Sequence, residues 1–480
     1  MQFFPPVCLA IFSCLSLFLC PHVWASELAL SPFSENEEGL IFNIQGSNTV
    51  GARLAPGWVK DYLEAKGLGS VVVNKLAVEN EYRVLGYKKD KTAIYVDIAA
   101  HGSSTGFKGL LKNVADLAMS SRPIKEAEVV ALSERGDMLS FAAENVVAID
   151  GLAVIVNPKN PVNNLTVETI AKIFSGEYTN WKELGGPNIG INLYARDENS
   201  GTWDTFKSLV LARQYVLSKR AKRFESNDQL SDRVSRDAGG IGFVGLASVR
   251  SAKVLGVSDG ESRPLKPHPL FVATEDYPLA RRLFMYVPPG LQNKYVDEFI
   301  QLAHSSKGQE RVENIGFVSQ KPISVPFDPG VDSPESYASI VQYGERLSVN
   351  FRFKSGSAEL DNKARQDILR LAEFAKTLDG KGKRIQLIGF GDQKSTRSRE
   401  LVLSQMRALA VKSALRRQNI HTETVLGFGS GLPVATNNEL GKLRNQRVEV
   451  WVYDEEHHGD VQTAKADIEE NNRSTILSAL

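Results

Sequence analysis

The sequence predicts an α/β protein in which a larger, two-lobed unit is followed by a smaller α/β unit. Residues 40–325 alternate short β-rich runs such as "LIFNIQG" with helical patterns such as "LAPGWVKDYLEAKG". That alternation is typical of parallel or mixed sheets flanked by helices. Residues 345–454 repeat it on a smaller scale, and residues 326–344 are rich in Pro, Ser and Asp, as in a linker.

The two ends of the chain differ from these units. Residues 1–25 are predicted to be a cleaved signal peptide, because the uncharged apolar run "VCLAIFSCLSLFLC" precedes Val23 and Ala25, which suit a signal peptidase. A membrane anchor is the alternative, but the run is short for a spanning helix. All cysteines lie in this segment, so no disulfide is expected in the mature protein. Residues 455–480 are interpreted as a polar C-terminal tail.

The composition argues against several classes of protein. The formal net charge is only +1, so a nucleic-acid surface, which needs an excess of basic residues, is not expected. The histidines lack HxxxH or HxH spacing, so no metal site is predicted, and neither is a cofactor. The chain is not predicted to be an enzyme, since "NSGTW" lacks the GxSxG pattern of a nucleophile elbow. A phosphatase that uses His101 or Ser200 is the alternative.

Three junctions between predicted strands and helices are made of small residues: "GSNTVG" at 46–51, "HGSSTG" at 101–106 and "NSGT" at 199–202. Helix N-termini expose unpaired backbone N–H groups, and small residues let an anion approach them. Arg196 would supply one cation with bidentate geometry, and Glu198 would orient its guanidinium. The sequence therefore predicts an oxyanion site, although ordinary helix capping also explains each junction taken singly.

Residues 40–325 resemble the phosphate-binding proteins that serve ABC importers, within the periplasmic binding protein superfamily. The matching stretches are "GSNTVG", "HGSSTG", "DLAMSSRPI", "NLTVETIAKIFSGEYTNW", "RDENSGT" and "GGIGFVG". The resemblance implies two hinged lobes that close on inorganic phosphate, with an ABC importer as a candidate partner. It implies that the anion is contacted by Thr49, the Val50 amide, Ser103, Ser121, Arg196, Ser200, Gly201 and Thr202.

Ser121 departs from the family pattern. In well-studied members an Asp in its place accepts the proton of hydrogen phosphate and thereby rejects sulfate. A serine hydroxyl can donate or accept, so it discriminates less between the two anions. Phosphate is the expected ligand and another oxyanion such as sulfate is the alternative. For Arg122, a surface salt bridge and a contact to the ligand both stay open.

A second candidate site lies in "GFGDQKSTRSRELVLSQMRALAV". Asp392 ends a predicted strand and Arg407 lies in the following helix, beside a predicted buried stripe formed by Leu403, Met406, Ala410, Val411 and Ala414. A carboxylate and a guanidinium held close together would bind the two ends of a zwitterion. A plain salt bridge is the alternative.

Residues 345–454 resemble the OmpA-like C-terminal domain, on the stretches "FKSGSAEL", "GFGD", "LSQMRA", "GFGSGLPVATN" and "RNQRVEV". The resemblance implies that Asp392 and Arg407 clamp the diaminopimelate of a peptidoglycan stem peptide. Three positions depart from the family pattern, namely Gly391, Glu400 and Gln446. The two resemblances together imply a phosphate receptor in the periplasm of a Gram-negative bacterium, held at peptidoglycan and near the outer membrane. A structural or adhesive envelope protein is the alternative.

Overall fold

The computed structural model describes residues 30–198, 200–212, 214–329, 333–354 and 357–477. The predicted signal peptide lies outside the described residues. Within these ranges, no helix has both the length and the apolar character needed to cross a membrane.

The larger unit is built on a mixed sheet of eleven strands. The strands of this unit are β1 (Gly39–Gly46), β2 (Gly69–Lys75), β3 (Glu81–Tyr87), β4 (Ala93–Ala99), β5 (Leu117–Ser120), β6 (Glu144–Val156), β7 (Asn164–Thr166), β8 (Asn192–Arg196), β9 (Lys222–Phe224), β10 (Gly240–Gly245), β11 (Lys253–Val254), β12 (Gly256–Ser258) and β13 (Ala280–Tyr286). In the sheet, ten strands follow the order β2-β3-β4-β1-β5-β13-β6-β10-β8-β9, and β11 pairs with β6. Strands β7 and β12 form a separate pair.

Helices cover this sheet, and several of them begin directly after a strand. They are α1 (Asn48–Gly51), α2 (Leu54–Ala65), α3 (Ser103–Leu111), α4 (Glu126–Ala131), α5 (Val167–Ser175), α6 (Gly201–Phe206), α7 (Asn227–Arg236), α8 (Pro269–Ala273), α9 (Lys294–His304) and α10 (Ser306–Ile315). Helix α6 continues into a π-helical turn, Lys207–Leu211.

Two long strands connect the lobes of the larger unit. The first residues of β6 pair with β13, and its last residues, Leu152–Val156, pair with β10. Strand β13 in turn pairs with β5 at Phe284–Tyr286. Lobe 1 therefore contains β1–β5 and lobe 2 contains β7–β12, while β6 and β13 pass from one to the other as the hinge strands. The predicted two-lobed α/β fold is confirmed.

The smaller unit has a five-stranded sheet in the order β14-β15-β18-β16-β17. Its strands are β14 (Ser324–Pro326), β15 (Gly344–Arg352), β16 (Lys383–Gly389), β17 (Leu426–Gly427) and β18 (Arg447–Asp454). Its helices are α11 (Glu335–Val341), α12 (Asn362–Lys376), α13 (Arg397–Arg416), α14 (Glu439–Asn445) and α15 (His458–Leu477). A second α/β unit at this place was predicted, and this is confirmed.

The predicted linker and the predicted tail both contain helices that pack on the smaller unit. In α11, Tyr337 and Ile340 are buried, and the Tyr337 hydroxyl donates to Glu449 Oε2 over 2.9 Å. In α15, Val461 and Ile468 are buried in the same cluster. A few apolar side chains at helical spacing are enough to dock an otherwise polar segment. The exact domain boundaries stay predictions.

The buried face of α13 differs from the predicted stripe. Val411 and Ala414 are buried as predicted, but Met406 is 53% exposed, and Leu401 and Ala408 are buried instead. Ser404 on this face is fully buried, because the helix packs closely on Gly389 of β16. A Cβ on Gly389 would lie 2.9 Å from the Ser404 carbonyl carbon. Arg407 consequently lies on the buried side of the helix.

A buried ionic cluster joins the two units. Asp276, in the loop before β13, is 1% exposed and accepts hydrogen bonds from Arg346 Nη2 (2.5 Å) and Asn350 Nδ2 (2.9 Å) of β15. Arg352 donates to the Thr274 carbonyl over 2.9 Å. Burial alone would raise the pKa of Asp276, but the surrounding guanidiniums outweigh it and hold the pKa at about 2. The smaller unit is therefore docked on the larger one through paired charges.

Candidate functional site

A cavity of about 450 Å³ lies between the two lobes. Its wall includes Thr49 from lobe 1, Asp150 from β6, and four residues of lobe 2, namely Arg196, Ser200, Gly201 and Thr202. Five of the eight residues predicted to contact an oxyanion therefore meet at one cavity, and they come from both lobes.

The junction before α1 depends on a glycine. Gly46 has φ +137°, and a Cβ there would lie 2.9 Å from the Met119 backbone. The chain then turns into α1, where the Ser47 side chain accepts a hydrogen bond from the Thr49 N–H over 3.2 Å. Val50 follows with its side chain fully buried in the lobe 1 core. The cap fixes Thr49 at the rim of the cavity.

A second glycine allows the lobes to touch. A Cβ on Gly201 would lie 2.7 Å from Thr49 Cβ and 2.9 Å from Thr49 Cα. Only a residue without a side chain lets α6 approach α1 so closely. Ser200 caps α6 by accepting from the Trp203 N–H over 3.3 Å. Helix α1 has four residues and α6 six, so the cumulative dipoles at these two N-termini are small.

Arg196 is held rigidly at the end of β8. Its Nε donates to the Phe224 carbonyl (3.1 Å) and its Nη2 to the Glu225 carbonyl (2.6 Å), while Nη1 lies 3.4 Å from Thr202 Oγ1. Asp197, at 3.3 Å, is the paired carboxylate. Burial lowers the pKa of the Arg196 guanidinium, and Asp197 opposes that shift. A desolvated cation of this kind favours an anionic ligand.

Glu198 does not orient Arg196 as expected from the sequence. Its carboxylate pairs with Arg223 at 3.2 Å, and the Arg223 guanidinium lies over the Trp203 ring. The adjacent Asp197 takes the predicted role because the strand ends at Arg196, which places the next residue beside the guanidinium.

Ser103 and Ser121 lie together in lobe 1 but do not line the cavity that holds Arg196. The Ser121 N–H donates to Ser103 Oγ over 3.1 Å, and the two hydroxyl oxygens are 3.4 Å apart. Arg122 forms a two-pronged salt bridge with Glu128, at 2.7 and 2.8 Å. Of the two possibilities for Arg122, the structure shows the salt bridge.

His101 forms an ion pair at the surface of lobe 1. His101 Nε2 lies 3.0 Å from Glu81 Oε1, at the surface. In the part of the chain that the structure describes, no group of three His, Cys, Asp or Glu side chains is arranged to hold a metal ion.

The second candidate site brings Asp392 and Arg407 near each other. Arg407 Nη2 lies 3.9 Å from Asp392 Oδ1, which also accepts a 2.9 Å hydrogen bond from Gln446 Nε2. Asp392 Oδ2 accepts from Lys394 Nζ over 2.5 Å. Burial raises the pKa of Asp392, but the Lys394 and Gln446 hydrogen bonds outweigh it, so the pKa lies below its ordinary value.

Arg407 has donor capacity left over. Its side chain is 9% exposed, and among the described residues no hydrogen-bond partner accepts from its buried Nη1. Burial lowers the pKa of Arg407, and Asp392 opposes the shift. The Glu400 carboxylate stabilises the neighbouring loops, because it accepts hydrogen bonds from the Lys394 N–H (2.9 Å) and the Ser430 hydroxyl (2.6 Å). An unsatisfied buried guanidinium N–H is costly, which favours an acidic ligand at this place.

Comparison with known proteins decides the family. A model described as a PBP superfamily domain matches residues 69–307, and an OmpA family model matches residues 352–447. The chain is 30% identical over 259 residues to the phosphate-binding protein PstS of Borreliella burgdorferi, covering 53% of this chain and 88% of that protein. The chain belongs to the PBP superfamily. Its larger unit is the PBP domain, and its smaller unit is the OmpA domain.

Other relatives resemble the PBP domain to a similar degree. Protein SphX of Synechococcus elongatus is 33% identical over 266 residues, which cover 53% of this chain and 76% of that protein. A crystal structure of an ABC-type phosphate transport receptor from Vibrio cholerae is 26% identical, with a TM-score of 0.46, over 58% of this chain and 99% of that chain.

The sequence reasoning missed two charged residues of the PBP domain. Asp150 and Arg281 lie opposite each other on β6 and β13, 3.2 Å apart, and Arg281 also contacts Thr49 and Gly201. A signal was present in the sequence, since "VVAIDGLAVIV" and "LARRLFMYV" each place charge inside an apolar strand. A buried charge without a partner is unfavourable, so such positions predict a pair.

Proposed function

We propose that this protein is an exported receptor for phosphate, in which the PBP domain binds the anion and the OmpA domain holds peptidoglycan. The proposal that the PBP domain binds the anion rests on one observation. Thr49 of lobe 1 and Ser200–Thr202 of lobe 2 line one cavity together with the buried Arg196. The relatives named phosphate-binding proteins support the choice of anion.

Directed hydrogen bonds, rather than a positive field, would hold the anion. Among the described residues, the cavity wall carries four carboxylates and two guanidiniums, those of Arg53 and Arg196. Arg196 is therefore the decisive cation, since it is fixed by the Phe224 and Glu225 carbonyls and needs no reorganisation to bind. The Val50 amide, Ser103 and Ser121 stay proposed contacts on lobe 1 from the family resemblance, and these three residues lie outside the lining of this cavity.

Titration calorimetry with inorganic phosphate tests this function. Arg196→Ala should weaken binding by about 2–5 kcal/mol, because the dianion would lose the buried guanidinium that lines the cavity. Arg250→Ala is the matched control, since Arg250 is 47% exposed and pairs with Asp232 on the surface of lobe 2. Wild-type affinity in Arg196→Ala would contradict the site. A parallel titration with sulfate measures selectivity, because Ser121 supplies no carboxylate that rejects a deprotonated anion.

Asp392 and Arg407 of the OmpA domain are proposed to bind the diaminopimelate of the stem peptide. Arg407 Nη1, which has no hydrogen-bond partner among the described residues, would donate to a carboxylate of the ligand, and Asp392 would accept from its ammonium. The full mature protein, rather than an isolated domain, should be tested, because the ionic cluster around Asp276 buries part of the OmpA domain.

Sedimentation with insoluble peptidoglycan tests the wall contact. The wild-type protein should pellet, and the double variant Asp392→Ala, Arg407→Ala should stay in the supernatant. Asp379→Ala, Arg416→Ala is the matched control, because both residues are exposed on the same domain. Equal pelleting of a lysine-type wall would contradict the diaminopimelate assignment, since lysine lacks the second carboxylate.

The cellular setting follows from both halves of the proposal. A receptor that binds phosphate and peptidoglycan belongs in the periplasm of a Gram-negative bacterium, close to the outer membrane. An ABC importer is the proposed recipient of the captured anion. The proposed role is binding without catalysis, which a chromogenic phosphate ester would test through the absence of turnover.

A further inference from the structure

Asp150 and Arg281 form an ion pair at the point where the hinge strands cross between the lobes. They are direct partners in the antiparallel register of β6 and β13. Their side chains are 8% and 7% exposed, and Arg281 Nη2 lies 3.2 Å from Asp150 Oδ2. The pair therefore sits on the segment that must move when the lobes open or close.

The same guanidinium contacts both lobes. Arg281 Nη2 donates to Thr49 Oγ1 over 2.9 Å and to the Gly201 carbonyl over 2.7 Å. Thr49 belongs to α1 in lobe 1, and Gly201 opens α6 in lobe 2. Arg281 thus connects lobe 1, lobe 2 and the hinge through one side chain.

The contact to Thr49 determines what its hydroxyl can do. A hydroxyl has one hydrogen and two lone pairs, so an oxygen that accepts from Arg281 keeps its hydrogen for another acceptor. Thr49 lines the cavity, and a buried guanidinium has no acceptor capacity to compete for that hydrogen. The Thr49 hydroxyl is thereby held as a donor toward the cavity.

We propose that Arg281 is a positioning residue for anion binding, which fixes the Thr49 hydroxyl as a donor and joins the two lobes in the closed cleft. This inference rests on the proposed phosphate function. Asp150 neutralises the guanidinium, so Arg281 acts through Thr49 and Gly201 rather than as the main counter-charge of the anion. A purely structural ion pair in the hinge is the competing explanation.

Calorimetry with inorganic phosphate separates the two explanations. Arg281→Lys keeps a positive charge beside Asp150, but the lysine Nζ ends one bond short of the Nη2 position that contacts both Thr49 and Gly201, so affinity should fall at least about tenfold. In a Thr49→Val background the same substitution should cost less than about threefold, because the hydroxyl it positions is gone. Arg282→Lys is the matched control, because the next residue on β13 pairs instead with Glu275 and Asp361.

Each outcome bears on the inference. Wild-type affinity in Arg281→Lys, or equal losses with and without the Thr49 hydroxyl, would overturn it while leaving the Arg196 result intact. If wild-type protein binds no phosphate, the proposed function fails and this inference fails with it. Should Arg281→Lys not fold, the neutral double variant Asp150→Asn, Arg281→Gln leaves no unpaired charge and should still bind at least about tenfold more weakly. Undiminished binding by that variant would overturn the inference.

Discussion

Gly201→Ala should separate phosphate binding from folding. The added Cβ would lie 2.7 Å from Thr49 Cβ and 2.9 Å from Thr49 Cα, and nearer still to Thr49 Oγ1. Rotation of the Thr49 side chain cannot relieve an overlap with its own Cα, so α1 and α6 must move apart. The lobes can do this at the hinge, where β6 connects the strands of lobe 1 with those of lobe 2.

The expected size follows from the cost of overpacking, which is about 1–3 kcal/mol and corresponds to roughly 5- to 150-fold weaker binding. The cost falls on the closed cleft alone, so the thermal unfolding midpoint should change little. Titration calorimetry with phosphate measures the affinity, and Gly290→Ala is the control, because it lies outside the cavity wall and a Cβ there meets nothing within 4 Å. Wild-type affinity in Gly201→Ala would refute the idea that the anion is bound by the closed arrangement.

Two further predictions concern the interface and the OmpA domain. Asp276→Asn should lower the free energy of unfolding at pH 7 by about 3–5 kcal/mol, since it leaves buried guanidiniums without their carboxylate, and urea unfolding would measure it. Because the folded-state pKa of about 2 lies below the ordinary 3.8, wild-type protein should lose about 2 kcal/mol as the pH falls from 4 toward 2, and the variant should lack that loss. Lys394→Met should raise the retention of the protein on peptidoglycan about two- to fivefold, because Lys394 now occupies the Asp392 carboxylate that a ligand ammonium needs. Lys376→Met, which removes an exposed lysine, is the control and should leave the retention unchanged.

The parts of this protein that the sequence predicted are those encoded in short stretches. The alternation of strands and helices and the small-residue junctions each depend on neighbouring residues, and the α/β class and both families were confirmed. The capping of α1 by Ser47 and of α6 by Ser200 is local in the same sense. Local rules of this kind identify a loop suited to an anion before any tertiary contact is known.

The parts that the sequence did not predict depend on distant pairing. Asp150 and Arg281 are 131 residues apart, and only the register of β6 and β13 brings them together. The predicted buried face of α13 was correct at Val411 and Ala414 but wrong at Met406, because the close approach of Gly389 to Ser404 determines which side of the helix turns inward. Hydrophobic periodicity cannot show which of two partly apolar faces a sheet will cover.

The docking of the OmpA domain through Asp276 and Arg346 limits how far the cleft can move relative to that domain. A binding domain on a flexible linker would explore a volume set by the length of that linker. Its effective concentration near a partner would depend on the same length. Here α11 and β14 leave only a short connection between the domains. Two successive residues of β13 make different contacts: Arg281 contacts Thr49 at the cleft, and Arg282 pairs with Asp361 of the OmpA domain. The OmpA domain therefore fixes the direction in which the cleft opens. Under the proposed function, a partner that takes up the anion would have to approach the cleft from that one direction.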